Sequence, residues 1–153
     1  MKQVFTPPKL HIWTNQLLFI GASHIPYREH QVVSDKLMVS IEGSMVITLD
    51  DGQIVQTRSC LVKAGASFNE HYIDTNNATM AIYYLAPLTQ DYSALEFSML
   101  KALDGLHYQH PQEAQLIKQL TLIRDQPLRP EQVYTMLRDF IVQPSLQNII
   151  FRQ

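Results

Sequence analysis

The feature that most constrains this chain is the alternation that runs from residue 36 to residue 49. Leu37, Val39 and Ile41 alternate with Met38, Ser40 and Glu42, and after a Gly43-Ser44 break Met45, Ile47 and Leu49 resume the period of two. That period sends successive side chains to opposite faces of an extended backbone, so the stretch reads as two strands and not as a helix. Asp51-Gly52 follows, a pair that tolerates positive φ, and it predicts that Gln53 to Gln56 return antiparallel as the second arm of a hairpin.

The same texture extends in both directions. LHIW and QLLFIG, between Leu10 and Gly21, flank Thr14-Asn15 and predict a hairpin; Pro7-Pro8 keeps Met1 to Lys9 an extended arm. Cys60-Leu61-Val62 is a short buried strand, and Ser67 to Asp74 and Thr79 to Leu85 are two more around the turn residues Asn76-Asn77. Gly21, Gly43, Gly52 and Gly65 end these apolar runs, giving about eight short strands before Pro87. Helical spacing then takes over. Asp91 to Leu103 carries Leu95, Met99 and Leu103 up to a stop at Gly105; Pro111 opens a second helix and Pro130 a third, the two joined by Gln126-Pro127-Leu128. Pro144 to Gln153 has no strong pattern. Strands first and helices afterwards make the chain mainly β, a barrel or sandwich followed by two to three α-helices, and not a βαβ fold.

Composition bounds the function. A chain of 153 residues with 46% apolar and 17% charged residues supports one ordered core. Twelve Lys plus Arg against fourteen Asp plus Glu leave a formal charge of -2, without the basic excess that gripping DNA requires. The single cysteine, Cys60, forms no internal disulfide or Cys-x-x-Cys zinc pattern; it reads as a buried inert thiol in a reducing compartment. With neither a signal-peptide core nor a membrane-spanning run, the expectation is a soluble cytoplasmic protein with no membrane partner. No Gly-x-Ser-x-Gly elbow or Gly-rich phosphate loop is present, so no catalytic residue is nominated.

FIGAS, REH at Arg28 to His30, IEGSM, LDDG, the LVKAG turn and the AIYYLAP run come in an order that resembles the cupin superfamily. More narrowly, Leu18 to Pro87 resembles the N-terminal effector-sensing domain of AraC-type transcriptional regulators. The resemblance implies a cupin-like double-stranded β-helix, or jelly-roll, over residues 1–88, and a helical appendage over 89–153 that forms a dimer contact and leads to a helix-turn-helix module. No basic helix-turn-helix pair follows Ile141, so the chain is expected to be either an excised N-terminal portion or a stand-alone relative, meeting DNA only through a module outside these residues.

Registering Gly43 and Gly65 on the cupin motifs leaves His30 at one ligand position, while Val32, Lys36 and Phe68 occupy three others. Those three side chains are not expected to hold a divalent ion, which argues against a metal cofactor of the usual cupin kind. The same register points Arg28, His30, Lys36, Met38, Ser40 and Phe68 into the barrel. Tyr83 is nominated as an aromatic wall beside Trp13, His71, Tyr72 and Tyr84, only one of the adjacent Tyr83 and Tyr84 being able to face inward. Arg28 and Lys36 then call for an anionic effector or an internal partner such as Glu42; alternatively both point to solvent at strand edges. Hydrophobicity alone makes Leu37, Val39 and Ile41 the core face, so the inward face stays open.

Leu116, Leu120, Ile123, Val133, Leu137 and Phe140 either pack on their own barrel or form the seam of a homodimer, which is the expectation adopted. The function expected is binding of a small-molecule effector without catalysis. The alternative is a divergent cupin metalloenzyme with an irregular site built from His24, His30 and His71.

Overall fold

A computed structural model describes residues 9–13, 16–23, 35–49, 51–63, 72–75, 78–85, 90–103 and 106–151, the last ten as backbone. Among the described residues eight strands precede the first helix: β1 (Lys9–Trp13), β2 (Gln16–Ser23), β3 (Lys36–Glu42), β4 (Met45–Thr48), β5 (Ile54–Thr57), β6 (Ser59–Val62), β7 (Tyr72–Asp74) and β8 (Ala78–Tyr84). Then come α1 (Asp91–Ser98), β9 (Lys101–Leu103), β10 (Leu106–Tyr108), α2 (Glu113–Asp125) and α3 (Pro130–Phe151). The strands form two antiparallel sheets, one ordered β1-β2-β8-β3-β6-β10-β9 and the other β5-β4-β7.

The hairpins lie where the turn chemistry puts them. Thr48 faces Ile54 across the β4–β5 hairpin, where Gly52 takes φ 88° and its N–H donates to Leu49 O at 3.0 Å. Gly43, at φ 77°, ends β3, and the Ser40 hydroxyl lies 2.8 Å from the carbonyl oxygens of Glu42 and Gly43. Ser40 thus secures a bulge, between Ser40 and Glu42, in the pairing of β3 with β8.

Both faces of β3 are buried, which answers the question of the inward face. Met38 packs with Met45, Ile47, Val55, Cys60, Val62, Ile73 and Met80 between the two sheets. Leu37, Val39 and Ile41 pack instead with Leu18, Ile20, Leu61 and Tyr83 under the helices. The strand has a core on each side, so hydrophobicity could not choose between them.

The helices are the roof of that second core, and the residues expected at a homodimer seam lie in it. Leu116, Leu120 and Ile123 of α2 and Val133, Leu137 and Phe140 of α3 are all buried in the cluster formed with the sheet. A wide apolar sheet face needs that cover, and it is supplied within the chain. Two further expectations change. Residues 101–103 and 106–108, read as a helix end and loop, form β9 and β10, and β10 pairs with β6, so the sheet spans the boundary drawn at residue 88. The tail from Pro144, expected without pattern, continues α3 to Phe151. Among the described residues no helix is long and apolar enough to cross a membrane.

Polar ties fix the helices to the sheet. Lys9 Nζ donates to the carbonyls of Ile123 and Gln126 at 3.1 and 3.0 Å, placing a cation at the C-terminus of α2. Trp13 Nε1 donates to Pro130 O at 2.7 Å. Arg138 of α3 pairs with Asp91 of α1 at 2.6 Å, beside the bond from the Tyr83 hydroxyl to Gln16 Oε1, also 2.6 Å. His110, 1% exposed, accepts from the Gln112 N–H through Nδ1 at 3.0 Å, which leaves Nε2–H to donate to Phe140 O at 3.0 Å. Burial holds its pKa below the ordinary value, the Phe140 carbonyl and Glu113 opposing.

Two measurements check this packing. Leu137→Ala should lower the unfolding free energy by about 2–5 kcal/mol in urea denaturation, whereas a seam residue would shift the monomer–dimer ratio and leave the fold's stability nearly unchanged. A depressed histidine pKa means that the unfolded chain binds more protons below about pH 6.5. Stability should therefore be full above that pH and fall on acidification towards the folded pKa. His11, pushed down by burial and then by Lys9, adds to the same slope. His110→Asn, which keeps an acceptor for the Gln112 N–H, should flatten the fall in Tm between about pH 7 and pH 5.

Candidate functional site

Antiparallel pairing lays side chains in rungs across the large sheet, because directly opposed residues share a face. One rung on the side of the three-stranded sheet runs Leu10, Phe19, Ile82, Met38, Cys60, Tyr108, and its neighbour runs Ile12, Leu17, Tyr84, Lys36, Val62. The β3, β6 and β10 part of this face is buried in the inter-sheet core. Towards β1 the cover ends. Leu17, Phe19, Ile82 and Tyr84 are half-buried, while Leu10 and Ile12 are 56% and 64% exposed. The result is an apolar floor that begins at a sheet edge and ends at a lysine.

Lys36 is only 3% exposed, and its Nζ lies 5.3 Å from the centroid of the Tyr84 ring. An ammonium taken out of water is costly, and an aromatic face returns part of that cost. Cys60, on the adjoining rung, is fully buried; burial pushes its thiol up to about 12 while the charge of Lys36 pulls the other way. The pair gives the floor a positive end without a nucleophile.

Of the residues nominated from sequence, Lys36, Met38 and Ser40 do lie on this face. Met38 is part of the packed core, and the Ser40 hydroxyl is taken up by backbone carbonyls, which leaves Lys36 as the polar group near the floor. Tyr83 is a correction: it lies opposite Leu37 and Leu18, under the helices, and its hydroxyl is bound to Gln16. Burial raises that phenol's pKa above its ordinary value. Tyr84 is the inward tyrosine. Trp13 likewise packs against the helices, within 6.1 Å of the Tyr83 ring and 6.0 Å of the Tyr134 ring. Glu42 is not an internal partner; its largely exposed carboxylate pairs with Arg124 at 2.6 Å. Arg28, His30 and Phe68, with His24 and His71 of the alternative metal site, lie outside the described residues. Among the described residues no three His, Cys, Asp or Glu side chains gather into a metal-holding group.

Sequence reading missed Leu10, Ile12, Leu17 and Phe19 as floor residues. Each belongs to a recognisable strand, but their alignment with Lys36 runs through β8, which is remote in sequence from β1 and β3 alike.

No protein-family model matches this chain, and no curated protein matches it. Solved structures resemble it in part. A protein from Neisseria meningitidis is 18% identical over 55% of this chain and 88% of its own, with a TM-score of 0.41. A cupin-2 domain containing protein from Shewanella frigidimarina is 12% identical over 56% of this chain and 84% of its own, also at 0.41. A conserved protein of unknown function from Streptococcus pyogenes reaches 0.35, at 17% identity over 48% of this chain and 65% of its own. These partial likenesses assign no activity to this chain.

The burial of Cys60 can be checked directly. At pH 8 a thiol reagent such as Ellman's should leave native Cys60 unmodified for as long as the fold holds, and label it fully once the chain is unfolded in guanidinium.

Proposed function

We propose that this chain is the effector-sensing half of an AraC-type transcriptional regulator, its two sheets being the facing walls of a cupin-like double-stranded β-helix that binds a small organic anion without catalysis. The observation that carries the reading is the half-exposed apolar floor of Ile12, Leu17 and Tyr84 ending on the buried ammonium of Lys36. Apolar walls with one placed charge are the usual make-up of a small-molecule site. Lys36 would receive the anionic group, and the floor the body of the molecule.

Transmission has a physical route in β1. Its Leu10 and Ile12 face the floor, while Lys9 and Trp13, on the opposite face, bond to the end of α2 and the start of α3. A ligand that binds better to one setting of β1 would shift the helices by as much as its affinities for the two settings differ. DNA would be met by helix-turn-helix modules outside these residues, placed by that shift. A homodimer would use surfaces other than the six residues buried under the helices.

The test is a thermal-shift screen of small carboxylates and phosphate esters. A ligand at about a hundredfold its Kd should add about 2.7 kcal/mol of stability. Lys36→Met, close in shape and apolar, should keep the native circular dichroism spectrum and lose the shift. A screen in which no anion raises Tm, or a Lys36→Met protein that responds like the original chain, would sink the reading.

A further inference from the structure

A second cleft, of about 350 Å³, lies at the other end of the large sheet, bounded by the β5–β6 corner, the β9–β10 hairpin and the first residue of α2. Its lining includes Arg58, Lys101, Tyr108, Gln109 and Glu113. Three features of those residues go beyond packing. Arg58 donates through Nη2 to Ile41 O, yet its Nε–H is buried with no hydrogen-bond partner among the described residues. A buried guanidinium donor without an acceptor is uncommon, because the lost hydrogen bond is not returned elsewhere. Lys101, exposed and directly opposite Tyr108 across the β9–β10 pair, has no carboxylate within ion-pair distance among the described residues, and the Tyr108 hydroxyl has no partner there either.

The carboxylate of Glu113 is already engaged. Ser59 Oγ donates to Glu113 Oε2, and the same hydroxyl accepts from the His110 N–H at 2.8 Å. Among the described residues the cleft therefore presents two cations and a phenol without a hydrogen-bond partner against one carboxylate that serves the fold. Gln109 stands at φ 68°, a left-handed conformation costly for a residue with a Cβ. It is held there by its N–H donating to Ser59 O at 3.0 Å and its carbonyl accepting from Leu100 N–H at 2.9 Å. Both bonds are made without ligand, so the cleft's backbone is set in advance.

We infer that this cleft is a binding site for a small hydroxylated organic anion, a sugar acid or sugar phosphate, with Arg58 and Lys101 holding the anionic group and Tyr108 and Gln109 facing the hydroxyls. A carboxylate or phosphate would pair with the charge that the Arg58 guanidinium and the Lys101 ammonium bring to the cleft wall, and a planar fork suits either group. The volume matches a molecule of this size. The site is separate from the floor that ends on Lys36 and stands or falls independently of it.

Calorimetric titration of the full chain with gluconate, glucose 6-phosphate and the uncharged polyol sorbitol tests the inference. At least one of the two anions should bind, and sorbitol should bind at least about tenfold more weakly. Lys101→Gln and Arg58→Gln should each weaken the anion by about tenfold or more, while Lys118→Gln, which removes an exposed α2 cation outside the cleft, should leave binding unchanged. Arg58 also holds a backbone carbonyl, so the exposed Lys101→Gln keeps the test decisive should Arg58→Gln fail to fold. The inference is overturned if neither anion binds up to about 10 mM, if sorbitol binds as well as they do, if inorganic phosphate alone binds as tightly, or if Lys101→Gln binds like the original chain.

Discussion

Burial of β3 on both faces is the constraint on which the remaining structure depends. A strand with one wet face needs a single layer of cover; a strand with Met38 on one side and Leu37, Val39 and Ile41 on the other needs two. The three-stranded sheet covers one side and α1 to α3 the other. The helices are therefore part of the fold, and removing them would uncover Leu37, Val39 and Ile41 with the sheet residues packed beside them.

Covering the sheet from both sides also decides where polar groups collect. Its helix-side face is closed by few, specific contacts: Lys9 and Trp13 to the ends of α2 and α3, Arg138 to Asp91, and His110 to Phe140. Of these, the bond of His110 to Phe140 O satisfies a group that burial would leave costly. The exposed pair of Glu42 and Arg124 adds little beside them, since solvent screens such pairs. On the opposite face the smaller sheet has, among the described residues, three strands against seven, and the residues towards β1 are the more exposed. The floor of Leu10, Ile12, Leu17 and Tyr84 is left half-exposed beside a buried lysine.

The floor and the cleft are chemically unlike. The floor is apolar, with one cation among the described residues, and suits a molecule with a hydrocarbon body. The cleft is lined by amides, a phenol and two cations and suits one rich in hydroxyls. The floor ends on β3 and the cleft begins at β10, so their charged residues, Lys36 on one side and Arg58 and Lys101 on the other, can be altered separately. β6 runs between them, carrying Cys60 on the inner face and Ser59 towards the first turn of α2.

Sequence alone determined the local elements. The period of two fixed the strands, Asp51-Gly52 fixed a hairpin, Pro130 fixed a helix start, and Lys36, Met38 and Ser40 were assigned to one face, because each depends on neighbours in the chain. Tertiary structure decided what local pattern leaves degenerate. Alternation says that Tyr83 and Tyr84 face opposite ways but not which is inward; the register of β8 against β3 chose Tyr84. An apolar helix stripe is the same whether it meets a second subunit or its own sheet, and the width of the sheet chose the sheet. Residues 106–108 form a strand where β6 offers an edge to pair with, and residues 101–103 pair with them in turn. The cleft gathers residues from 44 to 113, whose only common property is their place in space.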